Sequence, residues 1–439
     1  MADNVNDRQC RVWIFNHYAS PPDRSTGTRH HSFAREIVRR GGDVAVFAAG
    51  FGHVSGREER LSGRKLVEDQ IVDGVRFVWL RTFPYRGNTW RRMVNMASYA
   101  LVVVVAQARR PAPSVVLGST VHPFAALAGW AVARTRGARF VYEVRDLWPQ
   151  TLIDIGAMRP RSPGARFLYA VEAFLVRRAE TVITVLPGMS EYLAERGLPT
   201  AHLRYLPNGV DLELGRPVAR HTNADPATEI DPLDVVLEDL DRRRQRGAVI
   251  FAWVGSHGLV NRLDIVLRAF HLASTQTASP MGLLFVGDGP EKPALQRLAV
   301  ELGLADVAFI DPVRKDRVAE LLAHVDVGVA HYTRTDVYRY GVSFNKIFDY
   351  MAARLPIAFA CDTFADPVAA AGAGLTIRPD DPQALAEAFC VLAVAPDSER
   401  KRMGEAGRRY VEREHDLARI SEAFADIVGC TTVDAPSPR

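Results

Sequence analysis

The chain has 439 residues, too many for one ordinary hydrophobic core, so two domains are the default expectation. Apolar residues make up 48% and charged residues 24%, a soluble globular balance, and no apolar run reaches the roughly 18 residues of a membrane span. A formal net charge of +4, with no basic run interleaved with aromatics, makes no case for a nucleic-acid binder.

Only five of the 55 basic residues are lysine; the rest are arginine. Arginine suits bidentate phosphate recognition, and a GC-rich genome produces the same bias. The start, residues 1–11, is polar and of mixed charge, unlike a secretion signal, so a cytoplasmic location is expected. Cys10, Cys361, Cys390 and Cys430 have no metal-ligand spacing and read as reduced bystanders.

In chain order, residues 11–16 (RVWIFN) read as a short buried strand, 18–27 as a Gly/Ser/Pro loop, and 30–40 as a helix closed by Gly41-Gly42. Further strands are predicted at 43–49, 75–80, 114–118, 139–144 and 181–185, each leading into a helical stretch. The pattern breaks at 207–247, which reads as a linker plus an exposed helix. It resumes with strands at 249–254, 282–286, 307–310, 325–330, 356–360 and 374–377. Residues 397–429 read as helical and amphipathic, and 431–439 as a disordered tail. Two successive series of short β-branched strands alternating with helices predict two parallel doubly wound sheets, facing each other across a cleft.

Five segments can carry chemistry. At 285–291 (FVGDGPE) a strand ends in a turn in which Gly287 and Gly289 let a ligand approach the backbone, though such turns also serve geometry alone. At 252–261 (AWVGSHGLVN) a strand runs into a Gly loop that suits a phosphate or is a plain strand–helix turn. At 338–353 (YRYGVSFNKIFDYMAA) a helix is expected to start at about Ser343, with Ser343 as its cap. Lys346 lies in the first turns, where a cation is disfavoured unless an anion is also bound, and Asp349 lies on the Asn345 face. The alternative is a solvated helix start. At 140–149 (FVYEVRDLWP) a strand ends in Glu143, Arg145 and Asp146, either a site or a structural Arg–Asp pair. Residues 20–28, with His30 and His31, can hold an acceptor phosphate. No third ligand supports a metal there.

Taken in order, these segments resemble glycosyltransferase family 4, a retaining group with the GT-B fold, over about residues 10–425. The resemblance rests on 286–304 (VGDGPEKPALQRLAVELGL), 309–330 (FIDPVRKDRVAELLAHVDVGVA), 340–357 (YGVSFNKIFDYMAARLPI) and 206–214 (LPNGVDLEL). The pair 143–158 (EVRDLWPQTLIDIGAM) and 255–267 (GSHGLVNRLDIVL) resembles a narrower branch that builds O-antigen and capsule repeats, including fucosamine-type enzymes.

The resemblance implies an acceptor-binding Rossmann-like domain at 1–205, a nucleotide-sugar-binding one at 206–409, and a helix at 410–430 returning to the first. It implies hexosyl-type transfer (EC 2.4) from a nucleoside diphosphate sugar, UDP-linked, to an acceptor glycan, lipid-diphosphate-linked sugar or small molecule, with retention. No covalent nucleophile, metal or cofactor is implied. Arg145, Asp146, Lys346 and Asp349 take the catalytic positions. Gly255, Ser256, Asn261, Arg262, Gly287, Asp288, Gly289, Val313, Ser343, Asn345, Lys346 and Asp349 take the donor positions. Ser25, Thr26, Gly27, His30, His122 and Glu143 take the acceptor positions.

The sequence also departs from the family. Where many members carry two Glu residues, Gly341 and Asp349 stand; where they carry Arg and Lys in the phosphate loop, Ser256 and Asn261 stand; where they carry a His at the N-domain strand end, Arg145 stands. The diphosphate charge then falls to Lys346, Arg262 and helix dipoles.

Arg81, Arg86, Arg91 and Arg92 precede an apolar helix at 93–108. This arrangement suits an anionic membrane surface, on the inner face of the plasma membrane, or a buried helix flanked by solvated arginines. Rival readings are a natural-product transferase with a soluble acceptor, a sugar-nucleotide 2-epimerase, and a non-catalytic GT-B partner subunit. A dinucleotide oxidoreductase is disfavoured, because no GxGxxG follows the first strand.

Overall fold

The computed structural model describes residues 10–22, 28–53, 55–87, 90–212 and 232–431. They form two compact units: one holds the chain up to Pro207 together with the residues from Leu417 onward, the other spans Asn208–Asp416.

The strands of the first unit are β1 (Arg11–Phe15), β2 (Asp43–Ala49), β3 (Phe51–Gly52), β4 (Arg57–Glu58), β5 (Val67–Val72), β6 (Val75–Leu80), β7 (Val115–Thr120), β8 (Arg139–Val144), β9 (Thr181–Thr184) and β10 (Leu203–Tyr205). Eight of them make one sheet in the order β10-β9-β8-β7-β1-β2-β6-β5, parallel except for β5, which is antiparallel to β6. β3 and β4 form a separate small antiparallel pair. The central strands are buried apart from the part-exposed first residues Arg11 and Asp43 of β1 and β2, as expected for a parallel sheet covered on both faces. β5 is half-exposed, and Asp73-Gly74 turns it back onto β6 with both residues at positive φ.

The helix Arg29–Arg39 packs on β2 and β6, and the final helix Leu417–Ile427 packs on it, with Phe33 and Phe424 stacked at 4.3 Å. Here the expectation for the cysteines fails. Cys10, just before β1, and Cys430, just after the final helix, are disulfide-bonded with their Cα atoms 5.5 Å apart. Only Cys361 and Cys390 are free. A separation of 420 residues hides this neighbourhood in the sequence.

The second unit contains β11 (Val249–Val254), β12 (Met281–Val286), β13 (Val307–Ile310), β14 (Val327–His331), β15 (Ile357–Ala360) and β16 (Gly374–Ile377), all parallel, in the order β13-β12-β11-β14-β15-β16. Numbered within the unit this is 3-2-1-4-5-6, the doubly wound nucleotide-binding order. The helix Pro232–Gln245 is not the exposed element expected of the linker: Leu233, Leu237 and Leu240 point into the core of this unit. The predicted tail helix is two helices, Asp397–Glu414 and Leu417–Ile427, broken at His415-Asp416. The break is pinned: His415 Nδ1 lies 2.8 Å from the Asn208 carbonyl, its ring stacks on Phe348, and Asp416 bridges to Val210.

Candidate active site

In an open parallel sheet, ligands bind beyond the carboxyl ends of the strands where the strand order reverses, because the two flanking loops diverge there. In the second unit that point lies between β11 and β14. Trp253, at the end of β11, and Tyr332, just past β14, face it, and Lys346 enters from the helix Asn345–Ala352. The Lys346 ammonium sits 2.9 Å from the Trp253 ring centroid and 5.4 Å from that of Tyr332. Tyr332 is in turn stacked on Phe344 at 3.5 Å. Lys346 keeps partial solvent exposure, yet burial alone pushes its pKa well below the usual lysine value, with no carboxylate contributing. Gly255 makes room for it, since a β-carbon there would lie 3.0 Å from Nζ.

Two loops frame this cation. The loop after β11 (Gly255-Ser256-His257-Gly258) and the turn after β12 (Gly287-Asp288-Gly289) lie directly against each other. Backbone N–H groups of Gly255, His257 and Glu291 donate to the carbonyls of Val286, Asp288 and His257. Gly287 and Gly289 were expected to admit a ligand. What they admit is the neighbouring loop: a β-carbon at Gly287 would lie 2.0 Å from the Gly255 oxygen, and one at Gly289 2.5 Å from the His257 oxygen. Gly287→Ala is therefore expected to lower stability by about 2–3 kcal/mol, read as a fall in Tm; an unchanged Tm would show that the loops part freely.

The other predicted donor residues fall into two groups. Ser256, Asp288 and Asn345 are exposed at the rim, and Val313 is half-buried against the core. The rest are engaged within the protein. Asn261 donates to the Ser256 carbonyl at 2.7 Å and closes its own loop. Arg262 adopts a left-handed backbone (φ 41°) and its guanidinium pairs with Asp264 at 2.9 Å. Ser343 is not a helix cap: the helix starts at Asn345 after Phe344, and Ser343 Oγ accepts from the Asn208 N–H, tying the start of the second unit to this loop. Gly341, where the family carries Glu, is a buried left-handed glycine. Both oxygens of Asp349 accept from Lys315 Nζ at 2.6 and 2.7 Å.

Sequence reasoning missed Lys315 and His257. Lys292, Lys315 and Lys346 are three of the five lysines, and each stands in the first turn of a helix, where the dipole disfavours a cation. In an arginine-rich chain that placement is a legible signal. Lys292 bridges the Gly287 and Ile310 carbonyls and Asp311. His257 is fully buried with neither ring nitrogen partnered among the described residues. Burial first, then Lys292 and Lys346, push its pKa to about 4 against the opposing pull of Asp288.

In the first unit, Ser25, Thr26 and Gly27 lie outside the described residues. His30 and Glu143, expected to meet an acceptor, are both fully buried and bound to each other. Glu143 takes a bond from Arg29 Nε at 3.0 Å and one from His30 Nε2 at 2.7 Å, and the far nitrogen of His30 meets Asn16 Nδ2 at 2.7 Å. Arg29 also donates to the Leu206 carbonyl at 2.7 Å and to that of Pro207. Burial raises the pKa of Glu143, but His30, Arg29 and Arg145 together outweigh it and hold the carboxylate ionised. This network closes the sheet; it offers no open carboxylate. Arg145 and Asp146 stand just beyond it. Arg145 Nε has no partner among the described residues. Asp146 reaches solvent on one side, and crowding by the protein raises its pKa against the pull of Arg145 and Arg92. His122 lies elsewhere, beside His17.

A lysine unpaired among the described residues, over aromatic rings at a sheet switch point and beside two interlocked glycine loops, defines the candidate site of a doubly wound α/β unit. Residues 26–209 match the family described as Glycosyl transferase 4-like domain, and residues 248–394 the one described as Glycosyl transferases group 1. The chain is 22% identical over 356 residues to the putative colanic acid biosynthesis glycosyl transferase WcaI of Escherichia coli K12, covering 78% of this chain and 80% of that protein. Among solved structures it resembles sucrose-phosphate synthase from Thermosynechococcus elongatus (TM-score 0.71, 16% identity, 96% of this chain and 98% of that one). It also resembles HepE of Anabaena in complex with UDP and glucose (TM-score 0.65, 14% identity, 96% of this chain and all of that one). The protein is a glycosyltransferase of the GT-B fold, and it belongs to glycosyltransferase family 4.

Proposed function

We propose that the chain transfers a hexosyl-type sugar from a UDP-sugar to an acceptor, with retention of anomeric configuration, in the assembly of a cell-surface polysaccharide. The observation that carries this is Lys346, an ammonium held at the sheet switch point with no carboxylate among the described residues to neutralise it. A diphosphate supplies the missing charge. The likeness to a UDP-bound structure and to WcaI supports the nucleotide and the pathway class. Lys346 and the start of its helix would stabilise the leaving diphosphate, which can itself take the acceptor proton. Asp349, held by Lys315, would meet the ribose hydroxyls, and Arg145 and Asp146 would line the acceptor side. No metal is required in this reading. A screen of UDP-sugars in EDTA is the test: UDP release with a retained product anomer is expected. UDP binding without turnover on any sugar would point instead to a non-catalytic partner subunit.

We further propose that the acceptor is lipid-linked and that the first unit rests on an anionic membrane. No helix among the described residues is long and apolar enough to cross one. The helix Trp90–Ala106, however, leaves Trp90, Met93, Leu101, Val104 and Val105 exposed, Trp90, Leu101 and Val105 by 70% or more. These positions recur at helical spacing, and Arg86, Arg91 and Arg109 are exposed at its ends. An apolar stripe between basic ends matches the interface of an anionic bilayer. Co-sedimentation with phosphatidylglycerol vesicles is expected, weakened by salt and abolished by Leu101→Glu with Val105→Glu. Equal recovery of wild type and variant in the supernatant would refute it.

A further inference from the structure

Lys315 stands in the first turn of the helix Lys315–Ala323, where the helix dipole opposes a cation. Its ammonium donates to both oxygens of Asp349, at 2.6 and 2.7 Å, and this pairing offsets that cost. The two side chains are 22% and 18% exposed, so the pair is held more firmly than a fully solvated one. Asp349 lies three positions beyond Lys346 on the helix Asn345–Ala352 and is the only acidic residue of that helix. Side chains three apart on a helix are neighbours, and an acid and a base so placed attract each other. Here they turn apart. Asp349 reaches Lys315, Lys346 lies over the Trp253 ring at 2.9 Å, and no ion pair joins the two among the described residues.

We propose that Lys315 is a positioning residue: it holds Asp349 away from Lys346, and so keeps the Lys346 ammonium uncompensated for an incoming diphosphate. The inference rests on the donor reading above, in which Lys346 meets that diphosphate, and gives the site a residue that acts without touching the donor. With Lys315 removed, the half-buried Asp349 carboxylate loses its partner, and Lys346 is the cation one turn back on its own helix. A carboxylate tethered at that distance competes with a ligand in solution at a high effective concentration. Pairing would cancel the charge on which the diphosphate depends.

The other titratable groups around Lys346 do not supply that counter-charge. Tyr332, 5.4 Å away at its ring centroid, is kept a neutral phenol by burial. His257, on the loop after β11, has its pKa pushed to about 4 and is neutral at pH 7. Asp288, on the turn after β12, is exposed and accepts from the Gly289 N–H at 2.8 Å, and Lys292 is paired with Asp311. Asp349 is thus the acid that helical geometry brings within reach of Lys346, and Lys315 is what turns it aside.

The test uses the full chain in EDTA with two readouts. Calorimetry follows the binding of pyrophosphate, which has a diphosphate and no ribose, so any contact of Asp349 with a ribose drops out. NMR of the lysine ε-carbons follows the titration of Lys346 without ligand; the chain has only five lysines, and Lys346→Arg assigns the signal. Lys315→Met is expected to weaken pyrophosphate binding about tenfold and to make Lys346 titrate at higher pH, because Asp349 then favours its charged form. Adding Asp349→Asn to Lys315→Met should return both readouts to near the wild-type values, a rescue that a merely structural ion pair would not give. Should the methionine variant fail to fold by circular dichroism, Lys315→Ala, alone and with Asp349→Asn, makes the same comparison. Wild-type values for both readouts in Lys315→Met would overturn the inference. So would a double variant as weak as the single one, which would make Lys315 a direct phosphate ligand or a purely structural residue. If wild type binds neither pyrophosphate nor UDP, the donor reading fails, and the Lys346 titration still decides: a rise in the single variant reversed in the double supports the positioning role, and an unchanged titration overturns it.

Discussion

Lys346→Ala is expected to lower kcat/KM at least about tenfold, a loss of roughly 1.4 kcal/mol or more of transition-state stabilisation, with most of it in kcat. The lysine is the cation at the second unit's switch point that has no carboxylate partner among the described residues, whereas Lys315, Lys292 and Arg262 are paired with Asp349, Asp311 and Asp264. Charge developing on a leaving diphosphate would therefore fall mainly on Lys346. Lys346→Arg should not restore the rate, because the ammonium is wedged between Gly255 and the Trp253 ring, where a planar fork has no room. A pH dependence goes with this. The ligand-free ammonium has its pKa pushed down by burial, and a bound diphosphate favours the charged form. UDP binding should thus take up a proton, and UDP affinity should fall as pH rises through the ligand-free pKa. Calorimetry in buffers of different ionisation enthalpy measures this directly. A wild-type rate for Lys346→Ala, or a UDP affinity flat from neutral to alkaline pH, would remove the residue from the donor site.

The second large effect belongs to the first unit. Glu143→Ala is expected to cost about 3–5 kcal/mol of stability, because it strands the Arg29 charge in the core together with His30. Glu143→Gln should cost less, since the amide oxygen still accepts from one of them. The depressed pKa of Glu143 sets the sign with pH: its stabilisation is present above the unfolded carboxylate pKa and is lost as pH falls through the lower folded value. Denaturant unfolding of the full chain, followed through the transition of the first unit, tests this. UDP affinity should be unchanged, because every partner of Glu143 lies in the first unit. A Glu143→Ala variant of wild-type stability and reduced acceptor turnover would instead restore the ligand-contacting role expected at that position.

How far the site was legible depended on whether a residue's role is local. Gly-rich turns after short β-branched strands mark the loops at 255–258 and 287–289 without any structure, because strand, turn and helix each have their own sequence period. What those glycines face is not local: 32 positions separate Gly255 from Gly287, and only the pairing of β11 with β12 brings them into contact. The same holds for Asp349, whose partner Lys315 stands 34 residues earlier, and for Asn208, which holds Ser343 across 135. The membrane reading was legible as an arginine cluster before an apolar helix. Which of its residues face solvent was decided by what packs on the other side of the helix, where Asn95, Met96, Tyr99 and Val103 are buried.

By itself the sequence determined two series of alternating strands and helices, the location of the two glycine loops, and Lys346 as the residue to watch; the GT-B class came from the resemblance of its motifs to glycosyltransferase family 4. Hydrophobic periodicity and helix-end chemistry act over a few residues, so they are written in the chain. The tertiary structure alone decided the Cys10–Cys430 disulfide, the burial of Glu143 and His30 in a closed network, and the meeting of His17 with His122 across 105 residues. Each of these depends on which strands lie side by side, and strand order is set by long-range packing that no local pattern encodes.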